Sequence, residues 1–402
     1  MGQQIFKFHK DLRVTFGVNN RTTKVNLSKI IPKEELIEQL DYTRSLRFQP
    51  NELIWLQGNT FYGKRGIFTS EYIDFLRTFQ LPEYELKTDD NGDWQIEFPG
   101  LWVETTMWEI YVLPIINTLR NRHAMRGMSR FELDVLYSGA KTKLWQKLQK
   151  LRKLENLNLT DFGTRRRHDF LFQEWAVNAA HDALGNAFTG TSNTLIAMRQ
   201  GLEAKGTNAH EVPMVIAAMC DNDEEIKQSQ YVACEEWQHT YDGALLVGLP
   251  DTFGSTQYFR DAPDWLLNWT GFRFDSKNPI AAGDEMHSWL LHRGIDPTTK
   301  LGIFSDGLDV NDIINIHEHF KHRIKLGFGW GTLLTNDFID CHPYANQQLN
   351  PISITCKVKT VNGRPAVKLS DNYLKATGDK ETIARYIRIF GTSGMSNVPI
   401  KV

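Results

Sequence analysis

Apolar and polar residues alternate along "RVTFGV" (13–18) and "WQIEF" (94–98), and a period of two predicts half-buried strands. Around them the period lengthens to that of a helix, in "TTMWEIYVLPIINTLRNRH" and in the amphipathic "SGAKTKLWQKLQKLRKL", so residues 1–155 predict an α+β domain. Asn91-Gly92 in "DDNGDW" predicts a hairpin turn. From residue 158 the rhythm changes: a short apolar run, a polar or Gly-rich loop and a helical stretch recur about every 25–30 residues, the length of one βα unit. A strand near 245–249 runs into "PDTFG", "GFRFD" precedes "PIAAGDEMHSWLLHRG", "KLGIFSDGLD" precedes "VNDIINIHEHFKHR", and "IKLGFGWG" ends the series. Residues 156–345 therefore predict an α/β barrel, with its site at the C-terminal ends of the strands. Residues 346–402 hold "ISITCKVKTVNGRPAVKLS", a hairpin turning at Asn362-Gly363 that is expected to pack on the N-terminal domain. The expected architecture is α/β: an irregular barrel beside an α+β sandwich built from the N-terminal part and this hairpin.

Composition narrows the function. With 46 basic and 48 acidic residues, a net charge of −2 argues against a protein that coats nucleic acid or anionic membrane. Four cysteines without a CxxC pair suit reduced thiols. The opening "MGQQIFKFHK" has no signal-peptide pattern, and no apolar run approaches the roughly 20 residues of a spanning helix, so a cytoplasmic protein is expected.

The strand-end clusters point to an anionic ligand. "FGTRRR" supplies guanidiniums, whose planar forks bind phosphate bidentately. "GFGWGT" (327–332) removes side chains so that backbone N–H groups can approach an anion, with Gly327 and Gly329 as candidates. "FSDGLD" offers Asp306 and Gly307, and "RFDS" offers Arg273, Asp275 and Ser276, groups suited to ribose hydroxyls or to a cation carried by phosphates. In "GTNAHEV", His210 is a candidate nucleophile or acid/base and Glu211 a candidate orienting carboxylate. "HEHFKH" lacks the i, i+4 zinc pair and reads as the solvent face of a helix, so no protein-held metal is expected.

"DFGTRRR", "GTSN", "GTNAHE", "FSDGLD" and "FGWGTLLTND", in this order, resemble nicotinate phosphoribosyltransferases of the type II phosphoribosyltransferase fold, from about residue 12 onward. The resemblance implies that nicotinate and 5-phosphoribosyl 1-pyrophosphate form nicotinate mononucleotide and pyrophosphate, with ATP hydrolysed through a phosphohistidine and Mg²⁺ carried by pyrophosphate. It assigns His210 as the phosphorylated residue, Phe162 as the ring stacked on the base and Arg165 as a phosphoribosyl contact, with Arg166 and Arg167 extending that phosphate-binding wall or one of those two pairing with a carboxylate. Ser192 falls where nicotinamide-using relatives carry an aspartate, and a neutral Ser192 with Asn193 beside it favours the acid. Arg273 joins that base pocket, and Asp251, Asp275, Ser276, Asp306, Gly307, Gly327 and Gly329 surround the ribose and its phosphates. A homodimer completing the base pocket is compatible with the resemblance. Two departures stand out. The family's opening Asp and Tyr-Lys segment is missing, which leaves a nicotinamide-using relative or a non-catalytic binding protein as alternatives, and Lys277 follows Ser276 where relatives have Gly, to bind pyrophosphate or to obstruct.

Overall fold

A computed structural model describes residues 1–399. Five antiparallel strands form one sheet in the order Arg364–Pro365, Ile354–Val361, Arg13–Asn20, Trp94–Leu101, Glu85–Thr88. Val14 pairs with Val361 and Asn20 with Ile354, so a strand from the end of the chain lies beside one from its beginning. The turn joining Ile354–Val361 to Arg364–Pro365 has Asn362 at φ 47° and Gly363 at φ 81°, the left-handed pair that a two-residue hairpin needs. The buried faces of Phe16, Ile96, Phe98, Ile354, Cys356 and Val358 pack on the helix Trp108–Ala124 in one apolar core.

Six parallel strands make the second sheet, in the order Phe188–Thr191, Leu159–Asp161, Lys325–Trp330, Leu301–Phe304, Gly271–Phe274, Val247–Gly248. Thr189 and Val247, from its two edge strands, line one cavity of about 400 Å³ together with Thr160, Ile303 and Gly327, so the sheet curls around a common axis as an irregular α/β barrel. The strand expected over 245–249 shrinks to Val247–Gly248, because Leu245 takes φ 58°, incompatible with an extended ladder. In the helix Val310–Phe320, His317 is buried and its Nε2 lies 2.7 Å from the Glu155 carbonyl, whereas His319 meets Asp284 at the surface. The expected solvent face is thus half core. No helix among the described residues is long and apolar enough to cross a membrane.

Candidate active site

Asp161 ends the strand Leu159–Asp161 and organises the loop after it. Its buried carboxylate accepts from Gly163 N at 2.6 Å, Thr191 Oγ1 at 2.6 Å and Gln173 Nε2 at 2.8 Å, which fixes the turn at Phe162-Gly163. Thr335 Oγ1 donates to the Gly163 carbonyl, Asn117 Nδ2 to that of Arg165 and Asn336 Nδ2 to that of Arg166. The arginine run is therefore a held loop.

Phe162, Arg165 and Arg166 then face a cavity of about 140 Å³ shared with Arg21, Glu109, His210, Arg273, Asp275, Ser305, Asp306, Gly307, Gly331, Thr332, Thr355, Lys357, Lys368 and Lys375. Seven cationic side chains meet three carboxylates there, a charge excess matched to a polyanion. Arg165 Nη1 bonds Glu109 Oε1 at 2.6 Å, and Lys357 Nζ stands 3.6 Å from the same oxygen. Burial, and then the neighbouring Arg165, lower Arg166 to about 10, which leaves it charged at neutral pH. Arg167 turns away: it bonds Gln173 Oε1 at 3.2 Å and covers the Phe170 ring. Of the three arginines, Arg165 is the one paired with a carboxylate on the cavity wall.

His210 is buried at the start of the helix Glu211–Met219. One ring nitrogen lies 3.0 Å from Thr252 Oγ1; the other is 3.0 Å from Lys368 Nζ and 3.2 Å from Asp275 Oδ2. Burial, and then the Lys368 charge, lower its pKa to about 4, so the imidazole is neutral and nucleophilic at pH 7. Burial alone would raise the Asp275 carboxyl, but Arg273, 3.2 Å away, with His210 and Lys368, holds it well below the usual carboxylate range. Lys375 Nζ donates to Asp306 and, at 3.0 Å, to the Asp275 carbonyl, tying two strand ends together.

Several expected site residues stand elsewhere. Glu211 does not touch His210: its Oε1 accepts from Trp102 Nε1 at 3.0 Å and Thr106 Oγ1 at 2.6 Å, and Thr252 and Asp275 orient the imidazole instead. Adjacent helical residues point about 100° apart, which sends Glu211 into the N-terminal domain. Gly327 and Gly329 lie inside the strand Lys325–Trp330 and present no phosphate loop. A Cβ on Gly329 would stand 2.4 Å from the Phe162 ring, so that glycine gives the ring its seat, while Gly327 packs near Ile303 in the barrel interior. Gly331 and Thr332, just beyond the strand, line the cavity. Ser192 bonds Thr164 Oγ1 at 2.8 Å and Asn193 bonds Gln173 at 3.0 Å, one layer behind the wall. Asp251 and Ser276 are likewise interior and bond each other at 2.5 Å, with Asp251 3.7 Å from His210.

Sequence reasoning missed Arg21, Glu109, Thr252, Lys357, Lys368 and Lys375. For Lys357 a signal existed: the alternation of "ITCKVKTV" marks one face of a strand, and here that face looks into the cavity.

The model of the nicotinate phosphoribosyltransferase (NAPRTase) family matches residues 157–393, and the model of the NAPRTase N-terminal domain matches residues 1–117. Among solved structures, the nicotinate phosphoribosyltransferase of Vibrio cholerae is 30% identical, with 97% of this chain and 90% of that one aligned at a TM-score of 0.88. That of Porphyromonas gingivalis is 26% identical, over 97% and 96%, at a TM-score of 0.86. With over half its length matched by the family's main model, the chain belongs to the nicotinate phosphoribosyltransferase family.

Proposed function

We propose that the chain joins nicotinate to 5-phosphoribosyl 1-pyrophosphate, giving nicotinate mononucleotide and pyrophosphate, with ATP hydrolysed through transient phosphorylation of His210. The observation that carries this reading is a neutral, buried His210 between Lys368 and Asp275, at the edge of a cavity with seven cationic side chains.

In the transfer step the base nitrogen bonds to the ribose anomeric carbon as the bond to pyrophosphate oxygen breaks. The chain's part is positional and electrostatic. Phe162 offers its ring to the pyridine, and the cationic excess suits the carboxylate of nicotinate better than a neutral amide. Arg273, expected in the base pocket, is instead held by Asp275 beside His210; with Arg165, Arg166 and Lys357 it takes phosphate oxygens, and each desolvated charge-assisted bond is stronger there than in water. Among the described residues no trio of His, Cys, Asp or Glu is placed to hold a metal. Asp275 and Asp306 do face the cavity, and one or two carboxylates plus substrate phosphates is the donor set magnesium favours. Those two carboxylates would face an ion carried in by the pyrophosphate, which would neutralise charge on that departing group.

In the coupling step His210 takes the terminal phosphoryl group of ATP and ADP departs; water later hydrolyses the phosphohistidine. The added charge of about −1.5 to −2 beside Lys368 and Arg273 reorganises the contacts that grip pyrophosphate. The test is nicotinate mononucleotide formation with and without ATP, with nicotinamide as competitor, on wild type and His210→Asn. ATP-stimulated turnover on nicotinate, lost in the variant while slow ATP-independent transfer persists, is expected. Preference for nicotinamide, or coupling unchanged in His210→Asn, would overturn the reading.

A further inference from the structure

Lys277 is expected either to bind pyrophosphate or to obstruct, and its surroundings assign it neither role. Its side chain, 13% exposed, is absent from the cavity lining and enters a polar cluster behind the strand ends. Nζ donates to Glu285 Oε2 at 2.7 Å, to Thr256 Oγ1 at 3.0 Å and to Ser255 Oγ at 3.4 Å. Glu285, 23% exposed, also accepts from Thr256 at 2.5 Å and Ser255 at 3.1 Å.

These residues belong to different parts of the barrel rim. Lys277 follows the strand Gly271–Phe274, on the loop that carries Asp275, and Glu285 sits on the next helix, Pro279–His292. Ser255 and Thr256 open the helix Ser255–Arg260, directly after the loop that carries Asp251 and Thr252. A second chain of bonds closes the circuit: Ser255 N donates to Asp371 Oδ1 at 2.8 Å, Asp371 N to Ser276 Oγ at 3.2 Å, and Ser276 Oγ to Asp251 Oδ2 at 2.5 Å. The network therefore reaches, on both loops, the groups that face His210.

We infer that Lys277 is a positioning residue for the phosphoribosyl-transfer site: the ion pair of Lys277 and Glu285 grips the hydroxyls of Ser255 and Thr256, and so ties the loop that carries Asp275 to the loop that holds Asp251 and Thr252 around His210. The inference rests on the function proposed above. Removing one partner of a largely desolvated pair leaves the other charge buried and unpaired, whereas exchanging the two charges keeps the tie. Phe162 lies on a different strand end, so base binding stays outside the network.

The experiment compares wild type with Lys277→Met, Lys277→Arg and the exchanged pair Lys277→Glu/Glu285→Lys, by steady-state kinetics and by the imidazole NMR resonances of His210. Lys277→Met is expected to lower ATP-stimulated kcat at least about tenfold, to leave KM for nicotinate unchanged and to shift the His210 resonances. Lys277→Arg and the exchanged pair should recover most of both. A Met variant with wild-type kcat and unmoved resonances overturns the inference, as does a loss that raises KM for nicotinate equally or that neither rescue variant restores. Should the Met variant fail to fold, wild-type behaviour of the exchanged pair supports the tie, and its inactivity while folded refutes it. Absence of product from wild type overturns the functional proposal instead, and the resonance comparison then decides this inference by itself.

Discussion

Replacing Glu211 by Gln should make the protein more stable above neutral pH and leave catalysis in place. The carboxyl is buried, and burial, followed by the charge of Glu109, raises its pKa from 4.5 to about 7 against the opposing hydrogen bonds of Thr106 and Trp102. A folded-state pKa above the unfolded value means that the native state binds the proton more tightly. Stability is then full below pH 4.5 and is lost as pH rises to about 7. At about 1.4 kcal/mol per unit, the loss above pH 7 is about 3 kcal/mol. Both donors, Trp102 Nε1 and Thr106 Oγ1, address the same oxygen, and a glutamine carbonyl accepts both. The variant should match wild type near pH 4.5, gain on it up to pH 7 and hold a constant lead above. For a chain of this size that lead is roughly 3–6 °C in melting midpoint, read by thermal melts between pH 5 and 8.5. A lead that does not vary with pH would refute the burial reasoning. Loss of ATP coupling in a fully folded variant would restore Glu211 as a partner of His210.

Gly329→Ala puts a methyl 2.4 Å from the Phe162 ring; it should raise KM for nicotinate by about tenfold, a cost of ~1–2 kcal/mol, with KM for the phosphoribosyl substrate little changed in the same kinetic series. Glu109→Gln removes the carboxylate that holds Arg165 at 2.6 Å and should raise KM for the phosphoribosyl substrate more than that for nicotinate; equal KM values in wild type and variant would refute the positioning role. Gly363→Ala, at φ 81°, should cost ~1 kcal/mol in denaturant titration and leave both KM values alone.

The barrel rhythm was legible because each βα unit ends its strand in a polar or Gly-rich turn, and six parallel strands bear it out. Arg165, Arg166, His210, Arg273, Asp275, Asp306 and Gly307 gather at one cavity because barrel geometry sends every strand end to the same rim. The residues that stayed hidden did so for reasons of the same geometry. Lys357 sits on a sheet face that alternation labels polar, and sequence cannot distinguish a face turned to water from one turned to a cavity. Lys368 lies in a loop and Lys375 ends the 3-10 turn Tyr373–Lys375 late in the sequence, and the groups they touch are 158 residues away at His210 and 100 away at Asp275. Glu211 is misplaced by any reading that equates adjacency in sequence with adjacency in space. The glycines of "GFGWGT" suggest an anion site, while the structure uses Gly329 to seat an aromatic ring.

The pairing of Val14 with Val361 also sets a timetable for synthesis. A ribosome releases the N-terminal strand long before its neighbour exists, and a pairing of such sequence separation forms slowly because the intervening chain must first be closed into a loop. Until it forms, Lys357 cannot reach Glu109, and Arg165 and Arg166 stand beside a half-built sheet with an exposed edge. A nascent chain therefore completes this cationic wall only once the strand Ile354–Val361, close to the end of the sequence, has emerged and paired.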